Sequence, residues 1–133
     1  MTIEPGDILR DTTPHPVQGI EGRYSAFIPD AWRIFYAFGG STMAVALRAA
    51  TVELDRGDLD LLSADATFCQ AVPCGPVAVQ VEVLRSGRSG AQALVRLWAL
   101  DPDAPDASGP VGNDLVVTCV LGVRTDSQYR FLG

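Results

Sequence analysis

Two short stretches and one loop hold the residues that could do chemistry. The first, Phe38-Gly39-Gly40-Ser41-Thr42, offers backbone amides rather than a reactive side chain. Two glycines end an aromatic segment, Ser41 or Thr42 supplies a capping oxygen, and helix-forming residues follow. The N–H groups of Gly40, Ser41 and Thr42 then lack intrahelical partners and stand at the positive end of the helix. Donors so placed polarise a carbonyl and stabilise the oxyanion formed when water attacks it. The same two glycines also simply permit a helix to lie close against a strand. The second stretch places Ser63, Asp65, Thr67 and Cys69 on one face of a strand, opposite Leu62, Ala64, Ala66 and Phe68. Asp65 is the candidate base there, with Thr67 or Ser41 orienting water or substrate. A solvated strand face, or an Asp65 buried at a subunit seam beside Arg48, explains the stripe without chemistry. In the loop, Arg85 and Arg88 flank Gly87 and suit bidentate contact with phosphates, unless they are an ordinary solvated hairpin tip.

Other chemistries are excluded by absence. The lone His15, in Thr-Pro-His-Pro, reads as a surface residue of the leader. There is no Gly-x-Ser-x-Gly elbow, no phosphate-binding P-loop and no dinucleotide fingerprint. The three cysteines lack metal-ligand spacing, so no metal site is expected, and reduced core thiols in a cytoplasmic protein are the better reading. A net charge of −6 supplies no basic stripe for nucleic acid, although a phosphorylated small ligand needs only a few local cations. The N-terminus lacks the pattern of a signal peptide, and no apolar run is long enough to span a membrane.

These candidates need elements to position them. The chain has 133 residues, 47% of them hydrophobic, which suits one domain with a real core. Residues 1–22, rich in Pro and Gly, read as an extended leader. Arg23 to Pro29 alternates as a first strand, and Ala31 to Phe38 is an aromatic connector covering one end of the core. Met43 to Leu54 is a helix broken in its apolar character only by Arg48, Thr51 and Glu53, so it must be enclosed. Gly57 is its expected stop. The period then changes to two. Leu59 to Gln70 is an internal second strand, and Val77, Val79, Val81 and Val83 mark the clearest one. Residues 85–90 form a hairpin loop to a strand over Ala91 to Leu100. Residues 101–113 are an acidic, proline-rich mobile excursion, Leu115 to Arg124 is the last strand, and 125–133 is a tail. The domain therefore runs from 23 to 124. Hairpin connections predict an antiparallel sheet of about five strands wrapped around one helix. One helix cannot cover both faces of that sheet, so dimerisation is expected.

This order resembles the hotdog fold, an α+β architecture, and specifically the acyl-CoA thioesterases of the thioesterase II (TesB-like) kind. The matching pieces are Trp32-Arg33-Ile34 leading to Phe38-Gly39-Gly40, then Ala46 to Ala50, Phe68 with Pro73-Cys74-Gly75-Pro76, and Val81 to Ser89. The resemblance is to the N-terminal unit of chains that often carry two, which implies a homodimer, with further assembly open. It implies lipid metabolism and a thioester substrate of coenzyme A or carrier pantetheine, with no cofactor, nucleic-acid partner or membrane partner. The candidate site residues read from the chain itself are Asp65, Ser41, Thr67 and Gly40 for catalysis, and Phe38, Gly39, Thr42, Arg85 and Arg88 for substrate. Family enzymes place an acid two turns into the helix, where this chain has Ala46-Leu47-Arg48. The TesB-like catalytic unit uses a last-strand Gln, where this chain has Val117 to Gly122. Those departures motivate a second expectation, a non-catalytic protein that binds acyl-CoA or a similar apolar ligand.

Overall fold

The computed structural model describes residues 7–32 and 39–123. The expected Phe38 contact, most of the aromatic connector and the C-terminal tail lie outside the described residues. A short helix α1 (Ile8–Asp11) and a two-residue strand β1 (His15–Pro16) precede strand β2 (Arg23–Ile28). One 3-10 turn (Asp30–Trp32) leads on to helix α2 (Gly39–Leu54). Strands β3 (Leu59–Phe68), β4 (Gly75–Ser86), β5 (Gly90–Ala99) and β6 (Leu115–Val123) follow. Together they form one six-stranded antiparallel sheet in the order β1-β2-β4-β5-β6-β3. The hotdog architecture expected from the sequence is present, with one strand more. The addition comes from the leader, where His15 and Pro16 pair with Ser25 and Tyr24.

The core forms where two patterns meet. Val77, Val79 and Val81 of β4 face the helix with Val95 and Leu97 of β5 and Leu115, Val117 and Cys119 of β6. Helix α2 answers with Val45, Ala46, Ala49 and Ala50, all at most 1% exposed. Small side chains on that face let the helix axis lie close over the sheet, where every methyl displaces water. Burial pushes the Cys119 thiol up and leaves it a core residue. Val83 keeps the alternation and pairs with the buried Ala93, but it is exposed itself; the β4–β5 register shifts only beyond it, between Val83 and Arg85.

Three local expectations are corrected. The helix begins four residues early, so Ser41 and Thr42 sit within its first turn instead of capping it, and the Thr42 hydroxyl donates back to the Gly39 carbonyl at 2.9 Å. It ends at Leu54, where Asp55 takes the left-handed conformation with φ 49°, so Asp55 rather than Gly57 reverses the chain. Nor is α2 enclosed all round: it lies on one face of the sheet, and Val52 stays 54% exposed.

Polar ties fix the margins. Arg48 on α2 donates to the Thr12 and Thr13 hydroxyls and binds the leader to the helix. Beyond the helix C-terminus, Arg56 pairs with Asp58 and also donates to the Ser86 hydroxyl and the Gly87 carbonyl. On the face away from α2, Ala78 and Trp98 are buried although they lie outside the helix-side core. A Cβ at Gly112 would fall 2.7 Å from the Trp98 Cβ, so only glycine lets the 101–113 loop approach this closely. Arg23, 6% exposed, stacks 5.0 Å over the Trp98 ring and donates to Gln80 and to the Ala107 and Gly109 carbonyls. No described helix is long and apolar enough to cross a membrane.

Replacing Arg23 strands two carbonyls and the Gln80 oxygen while removing the cation over Trp98. Arg23→Met should therefore cost about 2–4 kcal/mol in denaturant unfolding at neutral pH, and an unchanged midpoint would contradict this account of the loop. Tyr24 donates to Glu53 at 3.0 Å, and its phenol is pushed up to about 12, first by burial and then by that bond. The unfolded chain releases the same proton near pH 10. Between about pH 10 and 12 the native state holds a proton that the unfolded state has lost, so stability falls as pH rises. Tyr24→Phe should flatten that part of the stability curve; equal slopes in both proteins would refute it.

Candidate functional site

The start of α2 and the end of β3 meet at one corner of the sheet. Alternation sends Ala64 and Ala66 inward, partly buried against the core, and carries Phe68 to the same side. The Phe68 ring tip lies 3.3 Å from the place a Cβ on Gly39 would occupy, so the bare glycine and the ring interlock. After β3 the chain turns back, with the Cys69 and Gln70 amides both donating to the Asp114 carbonyl, at 2.8 and 3.1 Å. Val72, 3% exposed, anchors the far side of the turn in the core. Between these parts lies a cleft of about 470 Å³, lined by Gly39, Thr42, Phe68, Cys69, Gln70, Ala71 and Val72.

The cleft has an apolar wall and a polar mouth. With Gly39 first in the helix, the Gly39 and Gly40 amides point beyond its end, so the open amides begin one residue earlier than the sequence suggested. Thr42, whose hydroxyl donates to the Gly39 carbonyl, and Gln70 also line the cleft. These groups can hold a carbonyl oxygen and a water molecule. None of them is a general base; the described lining residues hold no carboxylate or imidazole, and Cys69 adds a thiol.

The expected site residues separate. Gly39 and Thr42 line the cleft and Gly40 adjoins it; Ser41, as buried as Thr42 at 1% exposure, does not line it. Asp65 and Thr67 are exposed and alternate with the inward alanines, so they face away from the helix. The expectation that their strand is internal is overturned by the sheet order, which puts β3 at the edge, paired on one side only with β6. Helix and edge strand are adjacent in sequence, yet β6 arrives later and takes the inner place. Arg85 and Arg88 are exposed at the β4–β5 hairpin, beyond the opposite end of α2. Sixteen helical residues put that end about 24 Å from the cleft. Gln70 and the Phe68 ring were missed as site residues. Their signal is faint: one large ring closing a row of small inward residues, then a polar residue at the turn.

A second groove, about 670 Å³, lies at the opposite edge of the sheet between the leader and the 101–113 loop. It holds Arg10, His15 and Ser25 over Phe27 and Pro105, with Arg10 paired to Asp11. No group of three or more His, Cys, Asp or Glu side chains suited to a metal ion occurs among the described residues.

Comparisons with known proteins agree with the architecture. Among solved structures, the chain is similar to a protein assigned as thioesterase II from Thermobifida fusca YX, at 21% identity and TM-score 0.71, covering 89% of this chain and 39% of that one. A protein assigned as a thioesterase from Novosphingobium aromaticivorans DSM 12444 matches at 26% identity and TM-score 0.62, over 81% of this chain and 40% of that one. The BH2602 protein of Bacillus halodurans, solved with CoA, matches at 9% identity and TM-score 0.69, over 89% of this chain and 77% of that one. The chain thus spans about two fifths of the length of the first two. No curated protein matches it. The family model for the acyl-CoA thioesterase N-terminal domain matches residues 28–123. By that match over most of its length, the chain belongs to the acyl-CoA thioesterase N-terminal domain family.

Proposed function

We propose that the chain hydrolyses acyl thioesters of coenzyme A or of a carrier pantetheine, as a cytoplasmic homodimer of the TesB-like kind acting in lipid metabolism. The observation that carries this reading is the cleft where the first amides of α2 meet the Phe68–Val72 turn. The thioester oxygen accepts from the Gly39 and Gly40 amides, whose fixed dipoles favour the developing oxyanion. Gln70 and Thr42 orient the attacking water, and the acyl group lies on the apolar wall. The dimer forms along β3, the long edge strand whose Leu61 and Leu62 are exposed. In an antiparallel pair of β3 strands, the hairpin end of one copy comes beside the cleft of the other. At about 4.8 Å per strand, Arg85 and Arg88 of the second copy then stand roughly 15–19 Å from the seam. They are the proposed phosphate contacts. The bound state without hydrolysis is the second reading, favoured by the lack of a carboxylate or imidazole among the described lining residues.

A thiol-release assay over a panel of acyl-CoAs separates the two. Hydrolysis predicts turnover that falls on the order of 10²-fold in Gln70→Ala. Tight binding with no release supports the second reading. Arg85→Ala with Arg88→Ala should raise KM and leave kcat near its starting value; an unchanged KM removes the phosphate assignment. Asp65, expected as base, decides its own case. Its outward position predicts turnover within about twofold in Asp65→Asn, whereas a loss of the order of 10²-fold or more makes it the base.

A further inference from the structure

The helix does not cover the sheet evenly. It packs on β5, β4, β6 and β2 and barely reaches β3. Ala64 and Ala66 on the inner face of β3, and Met43 and Leu47 on α2, are each only partly buried against the core, and the line between strand and helix is the seam. Gly39, Met43 and Leu47 follow one another at four-residue spacing, so they form a single row on that flank of the helix. The strand row is small, small, large, and Phe68 closes the seam at the end where the cleft opens. Its ring bears on Gly39, the one position of the helix row without a side chain.

We propose that Phe68 sets the length of the acyl group this protein accepts, by blocking passage from the cleft into the alanine-floored seam between α2 and β3. This rests on the thioester reading of the cleft and adds to it a size limit at a named residue. A short acyl chain ends against the ring. A longer one needs the seam, and with Phe68 in place it remains in water.

The test compares kcat/KM for straight-chain acyl-CoAs from acetyl to palmitoyl in the wild type, Phe68→Ala, Phe68→Leu and Phe68→Trp. Phe68→Ala should move the preferred substrate at least two carbons longer, with about a fourfold gain in kcat/KM for each methylene newly removed from water. Acetyl-CoA serves as the reference within each protein, so the readout is the ratio of long-chain to acetyl kcat/KM, which rises only where a chain reaches the seam. Phe68→Leu should fall between, and Phe68→Trp should shorten the preference. Phe68 is half exposed on an edge strand, so these variants should keep the wild-type melting temperature within a few degrees. If all four proteins show the same ratio of long-chain to short-chain activity, the assignment fails while hydrolysis stands. If the wild type releases no thiol, hydrolysis fails, and Kd values for non-hydrolysable thioether analogues read the same ratio. Tightening of the longer analogues in Phe68→Ala supports the assignment, a flat series overturns it, and absence of binding by every analogue overturns both.

Discussion

The contact on which the rest depends is the alanine face of α2 against the valine face of the sheet. Ala46, Ala49 and Ala50 hold the helix close, and Val77, Val79, Val95 and Val117 provide the surface beneath it. Bulkier residues on the helix would lift it from the sheet and open the core; polar ones would bury unsatisfied groups. Its consequence for function lies in where the helix does not reach. Seated over the central strands, it leaves β3 thinly covered, and the cleft lies at the end of that strand.

The margins are held by polar chemistry instead of burial. Arg23 gathers the loop carbonyls over Trp98, Arg48 ties the leader, and Arg56 draws the β4–β5 hairpin toward the end of the helix. Each guanidinium serves several acceptors in fixed geometry, a task suited to its planar fork of donors. These ties lie away from the cleft, so the corner where α2 meets β3 is positioned by backbone bonds and by Val72. Its polar groups remain turned to the cleft mouth.

Much of the fold was legible because its signals are local. The valines of β4, the change of period after Leu54 and the turn residues each identify an element without knowledge of its neighbours. What failed depended on the assembled sheet. Nothing in Leu59 to Phe68 says that β6 will insert beside the central strands and leave this one at the edge. Asp65 therefore looked internal, whereas its neighbour Ala64 is the one on the helix side of the strand. The helix boundary failed for a different reason: glycine is poor inside a helix, yet the first turn tolerates it where amides need no intrahelical partner. The glycine-to-helix turn lies at the corner of a cleft, with its open amides beginning at Gly39 where the sequence suggested Gly40, Ser41 and Thr42.

A site made of helix-end amides, a hydroxyl and a carboxamide is suited to holding a polarised carbonyl, and the family match over residues 28–123 gives that geometry its chemical context. The most direct test is a crystal structure of the full chain with a non-hydrolysable acyl-CoA analogue. The account predicts the carbonyl oxygen within hydrogen-bond reach of the Gly39 and Gly40 amides, with the first acyl carbons against Phe68. A ligand seated in the Arg10 and Pro105 groove, with the Gly39 cleft empty, would contradict it.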